Sequence, residues 1–318
     1  MSPASRLRVR SLCAILALFA LIAVVPVASA DPASTSPTIK APIPGKGTYL
    51  AMGDSLAFGY QSARVGACAA TGCASPDTQF NTGYVNVFAG LFGASFPAVS
   101  TVNLGCPGET SATLINATNT STGCTTYPFP LHSNHPGQTQ LEAAVHVLQE
   151  QGKNVSPVTL DIGANDVLAL KSSCTGAGGA INLACVQAGA PAAFATIEAN
   201  IGATLDKLRA EGGKTLEIIV VGLYNPLYVP VYFQSGAAAA AGTDALSNQL
   251  NALTAATAAN YKAVFVDPMP TFNPGNGSNP PLELGTLQAL TGIFGGDIHP
   301  TDTGYAALGQ LVDSAAGF

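Results

Sequence analysis

The sequence contains no tryptophan and only three methionines, and charged residues make up just 9% of it. Acidic residues outnumber basic ones by 18 to 12, which gives a formal net charge of −6 at pH 7. This shortage of positive charge argues against nucleic acid or an anionic membrane surface as a partner, because both attract clusters of Lys and Arg. The absence of tryptophan is slight evidence against a surface that stacks on polysaccharides, although tyrosine can substitute.

Two further kinds of site lack their sequence motifs. No Gly-x-x-x-x-Gly-Lys-Ser/Thr loop is present, which argues against phosphoryl transfer. No Cys-x-x-Cys or histidine pair has the spacing of a zinc site, and the Asp and His residues do not cluster at ligand spacing. We therefore expect no metal site.

Only the N-terminus carries a long apolar run. Three arginines between positions 6 and 10 precede the apolar residues 12–27, and residues 28–30 are the small triplet Ala-Ser-Ala. This pattern predicts a secretory signal peptide, residues 1–30, that is cleaved before Asp31. An uncleaved anchor is the alternative, since the run approaches the ~17 residues of the shortest membrane spans. We expect a secreted, extracellular protein with no stable membrane insertion after cleavage.

The rest of the chain divides into a short leader and one domain. Residues 31–46 are rich in Pro, Ser and Thr, which predicts a flexible leader. Residues 47–318 are numerous enough for one large domain with a well-buried core. Without the three N-terminal arginines, nine basic residues face 18 acidic ones, a formal charge of −9. Aliphatic residues are plentiful, as in a globular rather than a disordered chain, and we expect a monomer.

Cysteine usage fits export. Cys13 lies in the predicted signal peptide, and six cysteines remain after it, which allow 15 pairings. Free thiols are disfavoured in an oxidising compartment. Because the six fall into local pairs within loop-like segments, we expect the bridges Cys68–Cys73, Cys106–Cys124 and Cys174–Cys185.

Apolar patterning predicts alternating strands and helices. Short apolar runs predict five strands at residues 48–52, 99–104, 157–162, 215–222 and 263–266. Helical spacing predicts helices over residues 84–96, 138–151, 191–210 and 243–261, and from residue 301 onward. Segments 61–82, 110–136, 171–190 and 268–296 are predicted as long loops. The order predicts a three-layer α/β/α sandwich around a mostly parallel five-stranded sheet.

Four short segments hold polar residues suited to nucleophilic catalysis. They are Gly53-Asp54-Ser55-Leu56, Asn103-Leu104-Gly105, Gly163-Ala164-Asn165-Asp166 and Asp297-Ile298-His299-Pro300. Ser55, Gly105 and Asn165 each follow the end of a predicted strand. In such sheets the ligand crevice lies outside the carboxyl ends of the strands, so the sequence predicts that these residues share one crevice.

Ser55 and His299 are the candidate nucleophile and general base. A serine hydroxyl needs a neighbouring base to become a good nucleophile, and Asp297 would hold the imidazole and stabilise its charged form. The alternatives are a helix cap at Ser55 or Asp54 and a purely structural histidine. The other three histidines, His132, His135 and His146, have no spacing that suggests a base.

Gly105 and Asn165 are the candidate oxyanion donors. The backbone N–H groups of Gly105 and Ser55 and the side-chain amide of Asn165 would face the charge that develops on an attacked ester carbonyl. Turn residues with no catalytic part are the alternative for Gly105 and Asn165.

The four segments resemble the conserved blocks of the GDSL, or SGNH, family of esterases and lipases. The Ser, Gly, Asn and His of that name match Ser55, Gly105, Asn165 and His299, and the likeness runs from about residue 47 to the C-terminus. It implies a flavodoxin-like fold, no cofactor, and hydrolysis of small-molecule or lipid esters through an acyl-serine. No Gly-x-Ser-x-Gly elbow is present.

The chain departs from the family pattern at the acid. The family commonly places the acid three residues before the histidine, where this chain has Gly296, and Asp297 is only two before it. Either Asp297 reaches the ring from a loop or a backbone carbonyl near Gly295 orients it. Cys106 directly follows Gly105, so a bridge to Cys124 would brace the predicted oxyanion loop.

Three functions stay open on the sequence. The first is a secreted esterase or lipase that acts on esters with a neutral, apolar acyl chain. The second is a carbohydrate deacetylase or phospholipase on the same scaffold. The third is a non-catalytic secreted binding domain that kept the fold, since fold alone does not fix function.

Overall fold

The structure is a computed structural model that describes residues 47–73, 76–116 and 130–317. The predicted signal peptide, the leader and Cys124 lie outside the described residues, so they stay predictions. Within the described residues, no helix has both the length and the apolar character to cross a membrane.

Five strands form one parallel sheet in the order β2-β1-β3-β4-β5. They are β1 (Thr48–Gly53), β2 (Ser100–Asn103), β3 (Val155–Asp161), β4 (Ile218–Val221) and β5 (Val264–Val266). All five lie where the apolar runs predict them, and every pairing is parallel. The predicted α/β architecture is thereby confirmed.

Helices connect and cover these strands. Those described are α1 (Ser55–Phe58), α2 (Ser62–Thr71), α3 (Pro76–Gln79), α4 (Tyr84–Ser95), α5 (Ser111–Ile115), α6 (Gln140–Gln151), α7 (Ala164–Ser173), α8 (Leu183–Gly212), α9 (Tyr228–Ser235), α10 (Ala237–Asn260), α11 (Met269–Phe272), α12 (Pro280–Leu290) and α13 (Asp302–Ala316). Short 3₁₀ turns lie at Gly152–Asn154 and Ile293–Gly295.

Alternation along the strands builds a core on each face of the sheet. In β1, Tyr49 and Ala51 pack with α4 and α13 on one face. Leu50 and Met52 point the other way, towards α6 and α8. Successive side chains of a strand face opposite sides, so a run that is apolar throughout is buried on both faces.

The four segments predicted as loops are partly helical. Helices α2 and α3 lie within residues 61–82, α5 within 110–136, α11 and α12 within 268–296, and the end of α7 and the start of α8 within 171–190. Proline and glycine there mark helix ends rather than a lack of structure: Gly72 ends α2, and Pro280 begins α12. Pro is compatible with the first helical turn, where its missing N–H has no intrahelical partner.

Two disulfides join cysteines that are neighbours in sequence. Cys68 is bonded to Cys73 and Cys174 to Cys185. The first closes the C-terminal end of α2, and the second ties the end of α7 to the start of α8. Both are among the local pairs expected from the sequence. The pairing of Cys106 with Cys124 lies outside the described residues because of Cys124.

Candidate active site

Ser55 lies where β1 turns into α1. Gly53, the last residue of β1, has φ 149°, and a Cβ there would lie 2.2 Å from Asp161 Oδ1, so only glycine fits. Asp54 caps α1, since its Oδ1 accepts a hydrogen bond from the N–H of Leu56 at 2.9 Å. The cap and the candidate nucleophile are thus neighbours, with Ser55 as the first helical residue.

A second buried carboxyl lies beneath this turn. Asp161, at the end of β3, accepts hydrogen bonds from the N–H of Asp54 at 3.2 Å and from the hydroxyl of Tyr84 at 2.6 Å. Burial, and then the negative charge of Asp54, raise the pKa of Asp161 well above its usual value. Burial and the neighbouring carboxylate thus disfavour a second negative charge beneath Ser55.

Ser55, His299 and Asp297 are joined by a continuous chain of hydrogen bonds, which we call the row. The Oγ of Ser55 lies 2.9 Å from His299 Nε2, and His299 Nδ1 lies 2.6 Å from Asp297 Oδ1. Each distance is within hydrogen-bond range. A proton can pass from the hydroxyl to Nε2 while the carboxylate holds the opposite nitrogen.

Asp297 reaches the ring because the chain folds back on itself before it. Gly296 has φ 87°. The N–H of Asp297 donates to Gly292 O at 3.1 Å, and the N–H of Gly292 donates to His299 O at 2.9 Å. Because of this closed turn, Asp297 reaches the imidazole although it lies two residues before the histidine, and not three as in the family pattern. The acid's side chain, and not a backbone carbonyl near Gly295, faces His299 Nδ1.

The carboxylate of Asp297 is held in its ionised form. Burial alone would raise its pKa, but hydrogen bonds from the His299 ring and from the N–H of Ser62, at 2.7 Å, outweigh burial. The net effect lowers the pKa of Asp297 to about 2. It therefore stays negative at neutral pH.

Three tyrosines hold this row in place. The Tyr60 ring packs on the His299 ring with centroids 4.4 Å apart. Tyr305 donates its hydroxyl to Tyr60 O at 2.8 Å, and Tyr224 donates to Ile298 O at 2.5 Å. None of the three was predicted from the sequence, because hydroxyls that bond to backbone carbonyls leave no motif.

Asn165 lies in the first turn of α7, on the other side of Ser55. Its Nδ2 donates to Glu109 O at 2.8 Å and contacts Asp54 Oδ2 at 3.4 Å. The second contact is longer than a normal N–H···O bond, so one amide hydrogen remains available to an incoming oxygen. The next residue, Asp166, accepts from the N–H and hydroxyl of Ser111 and ties α7 to α5.

Gly105 does not present its N–H to the site. That N–H donates to Asn103 Oδ1 at 2.8 Å, and the residue is buried against α1, where a Cβ would lie 2.6 Å from the N atom of Phe58. Gly105 is therefore a close-packing glycine, which corrects its predicted part as an oxyanion donor.

Gly108 is the better-placed glycine of the same loop. It is exposed, has φ 88°, and follows Pro107 in a turn closed by Glu109 N–H donating to Cys106 O at 3.1 Å. Proline and then glycine at the centre of a turn with positive φ is a type II pattern. The bond from Asn165 to the carbonyl of Glu109 brings this turn beside the site. The Pro-Gly pair is the sequence signal that distinguishes Gly108 from Gly105.

A buried chain of side chains connects this turn to β1. Gln140 accepts from the N–H of Gly53 at 2.6 Å, donates to Gly53 O at 2.9 Å, and donates to Glu109 Oε2 at 3.3 Å. Burial is the main cause that raises the pKa of Glu109 to about 7. The loop on this side of Ser55 thus rests on a carboxyl that titrates near neutral pH.

An apolar cleft opens directly from the row. Asp54, Ser55, Asn165 and His299 line its polar end, and its walls come from α7, α8, α10 and the segment after β4. The apolar lining residues include Leu168, Val186, Ala190, Phe194, Leu227, Leu246 and Leu250. A cleft of this composition suits an acyl or other aliphatic chain with its polar end at Ser55.

The remaining histidines lie away from the cleft lining. His132 contacts Phe58 O at 3.0 Å and Asp77 at 2.7 Å through its two nitrogens, and His146 pairs with Glu150 on the exposed side of α6. His135 contacts Ser133 O.

A family model describes most of the chain. Residues 51–307 match the GDSL-like lipase/acylhydrolase family. The match covers well over half of the sequence, so the chain belongs to this family of hydrolases that act on esters. No curated protein matches the chain.

Solved structures share the fold at low sequence identity. An extracellular lipase from Streptomyces rimosus is 19% identical, with 85% of this chain and 99% of that chain covered and a TM-score of 0.52. A phospholipase A1 from Streptomyces albidoflavus is 18% identical, with 85% and 100% covered and a TM-score of 0.52. A variant of an acetyl xylan esterase from Geobacillus stearothermophilus is 19% identical, with 87% and 97% covered and a TM-score of 0.50. At such identities the likeness shows the fold alone.

Proposed function

We propose that this chain is a secreted serine esterase or lipase that hydrolyses carboxylic esters through an acyl-Ser55 intermediate. The observation that carries the proposal is the unbroken row from Ser55 Oγ through His299 to Asp297, at 2.9 and 2.6 Å, at the mouth of an apolar cleft. The disulfides Cys68–Cys73 and Cys174–Cys185 also fit an oxidising, extracellular location.

In the proposed reaction, His299 Nε2 takes the proton of Ser55 as Oγ attacks the ester carbonyl. The alcohol leaves with that proton, and water then attacks the acyl-serine with His299 again as base. Asp297 stays ionised throughout and stabilises the imidazolium. None of these steps needs a cofactor.

The oxyanion that forms in both steps would face three donors. They are the N–H of Ser55, the amide hydrogen of Asn165 that makes only the long 3.4 Å contact with Asp54 and, in place of Gly105, the N–H of Gly108. Gly108 is supported by its exposure in a turn that Asn165 holds through the carbonyl of Glu109. Donors fixed before the reaction stabilise developing charge without reorganising.

The acyl chain would lie in the apolar cleft with its carbonyl at Ser55. The neighbouring folds belong to a lipase, a phospholipase A1 and an acetyl xylan esterase, so the fold does not choose among these substrates. The apolar lining of the cleft favours an aliphatic acyl group over acetyl, and therefore an esterase or lipase over a carbohydrate deacetylase.

The test is covalent labelling with a fluorophosphonate, read by peptide mass spectrometry, with p-nitrophenyl acetate, butyrate and palmitate assayed in parallel. We expect the label on Ser55 and higher kcat/KM on butyrate or palmitate than on acetate. Ser55→Ala should lose both label and turnover, whereas Ser172→Ala, at an exposed serine of α7, should keep them. A folded protein with neither label nor turnover would favour a binding domain.

A further inference from the structure

Two segments beside the cleft expose no charged side chain. Between residues 218 and 261 the one charged residue is Asp244, which is 1% exposed. Between residues 268 and 296 the one charged residue is Glu283, which is 0% exposed. The helices α9 to α12, which these segments form, therefore present only neutral side chains to their surroundings.

The two acids of these segments are buried and hydrogen-bonded inside the fold. Asn225 Nδ2 donates to Asp244 Oδ1 at 2.8 Å, and Asn273 Nδ2 donates to Glu283 Oε1 at 2.9 Å. Burial, and then the hydrogen bond with Glu283, raise the pKa of Asp244 to about 8. A pKa near 8 favours the neutral form of Asp244 at neutral pH, so this buried carboxyl contributes little charge to the surface above it.

Large hydrophobic side chains are exposed on these same segments. Phe233 on α9 is 68% exposed, Phe294 in the 3₁₀ turn is 45% exposed, and Leu282 on α12 is 48% exposed. Among the described residues, the one other exposed large hydrophobic side chain is Leu91 on α4, at 38%. The rings of Phe233 and Phe294, which we call the aromatic pair, meet edge to face at 6.3 Å.

Both members of the aromatic pair lie on segments that lead directly from the cleft. Leu227 lines the cleft and precedes α9, and Phe233 follows it by six residues, a helical rise of about 9 Å. Phe294 lies in the turn that Gly292 closes on His299 O at 2.9 Å. A surface that contacts this pair therefore lies close to residues that line the cleft.

We propose that the aromatic pair and the charge-free segments around it dock on a lipid surface of no net charge that holds the ester substrate. The proposal rests on the proposed function and names the physical form of its substrate. Exposed aromatic rings partition into the interface of a lipid aggregate, and a face without charges loses no charge solvation on contact. The net charge of −6 disfavours an anionic surface.

The absence of tryptophan permits a direct binding test. Phe233→Trp places the chain's single tryptophan in the aromatic pair, and Leu91→Trp is the matched control on α4, a helix that packs against α13. Ether-linked phosphatidylcholine vesicles serve as the probe, because they contain no acyl ester to cleave. We expect a blue shift of emission for Phe233→Trp on adding these vesicles, and none for Leu91→Trp.

Four results would overturn the proposal. One is the absence of a shift with phosphatidylcholine. Another is an equal shift in both variants, and the third is a shift that appears without vesicles as protein concentration rises, which would indicate a second copy of the chain. A shift that occurs only with phosphatidylglycerol vesicles would also contradict it, because the docking surface is meant for lipid without net charge.

Kinetics separate this proposal from the proposed function. Phe233→Ser, alone and with Phe294→Ser, should lower hydrolysis of emulsified tributyrin by about tenfold or more, because burial of a phenyl ring is lost. Hydrolysis of dissolved p-nitrophenyl butyrate should stay within twofold in Phe233→Ser and in the control Leu91→Ser. Equal loss on both substrates would contradict docking. Failure of Ser55 to label would contradict the proposed function whatever the vesicles show.

Discussion

The two sides of Ser55 differ in how far the resting protein is prepared for chemistry. On the histidine side, Ser55, His299 and Asp297 are already joined at 2.9 and 2.6 Å. On the amide side, Asn165 donates one amide hydrogen to Glu109 O, and the N–H of Gly105 is bonded to Asn103 and so is not one of the donors. The groups that would transfer the proton are therefore already hydrogen-bonded to one another, whereas Asn165, a proposed oxyanion donor, is also hydrogen-bonded within the fold.

The acids that support the two sides differ as well. Asp297 has its pKa lowered to about 2 by the donors around it, so it is ionised at every working pH. Glu109 has its pKa raised to about 7, mainly by burial. The histidine side thus contains a carboxylate that is always charged, whereas the amide side contains a carboxyl group whose neutral form is favoured by burial.

The largest effect should come from breaking the histidine side. We expect His299→Ala to lower kcat by about 10⁶-fold, as much as Ser55→Ala, because each needs the other to act. The double variant should lose no more than either single one, measured on p-nitrophenyl butyrate. A double variant much slower than both singles would show that the residues act independently and contradict the row.

Asp297→Asn should cost less, about 10⁴-fold in kcat. All three partners of the carboxylate are donors: the ring and N–H of His299, and the N–H of Ser62. An amide must therefore oppose one of them with its NH₂ group, and it favours the wrong imidazole tautomer. Steady-state kinetics with circular dichroism checks this. A loss equal to that of His299→Ala would contradict the ranking.

Strand ends were predictable from sequence, and they located most of the site. Apolar runs of strand length locate β1 and β3, and Ser55 and Asn165 follow soon after these strands. The roles of residues in the loop after a strand are harder to predict. Gly105 and Gly108 are three residues apart in one loop. Which of them can be an oxyanion donor depends on which N–H is already hydrogen-bonded within the fold, and here the N–H of Gly105 is bonded to Asn103.

Contacts between distant segments left no sequence pattern. The partnership of Asp297 with His299 depends on a turn that closes from Gly292 to His299, so spacing alone left two alternatives open. The polar chain from Glu109 through Gln140 to Gly53 joins three separate segments. The helices α2 and α12 were missed because Pro- and Gly-rich flanks were interpreted as loops.

On the amide side, Asn165→Ala should lower kcat by about 10²–10³-fold with little change in KM, as the loss of one oxyanion donor does elsewhere. Asn165→Asp is the informative companion, because it keeps the shape and replaces a donor with an acceptor. We expect it to be at least as slow as the alanine variant. An aspartate variant as fast as the parent would mean that neither amide hydrogen of Asn165 is needed for catalysis, and the oxyanion would then depend on backbone groups alone.

The smallest effect on catalysis, and a distinct one on stability, should come from Glu109→Gln. Burial raises the pKa of Glu109 from 4.5 to about 7, so ionising it costs folding energy. That cost is absent below about pH 4.5, grows as the pH rises, and is complete above about pH 7. Glutamine mimics the neutral form and should flatten the fall of Tm across this window, whereas Asp206→Asn, at an exposed position of α8, should leave it unchanged.

Catalysis in Glu109→Gln should change by less than about threefold, under 1 kcal/mol in the barrier, because the substitution keeps the backbone carbonyl that holds Asn165. Tm from pH 4 to 9 and kcat/KM at pH 8 measure the two expectations separately. A large loss of kcat/KM with Tm flattened as expected would mean that the charge of Glu109 itself takes part in the reaction. In that case both sides of Ser55 would depend on a charged carboxylate, and the contrast between Asp297 and Glu109 would be wrong.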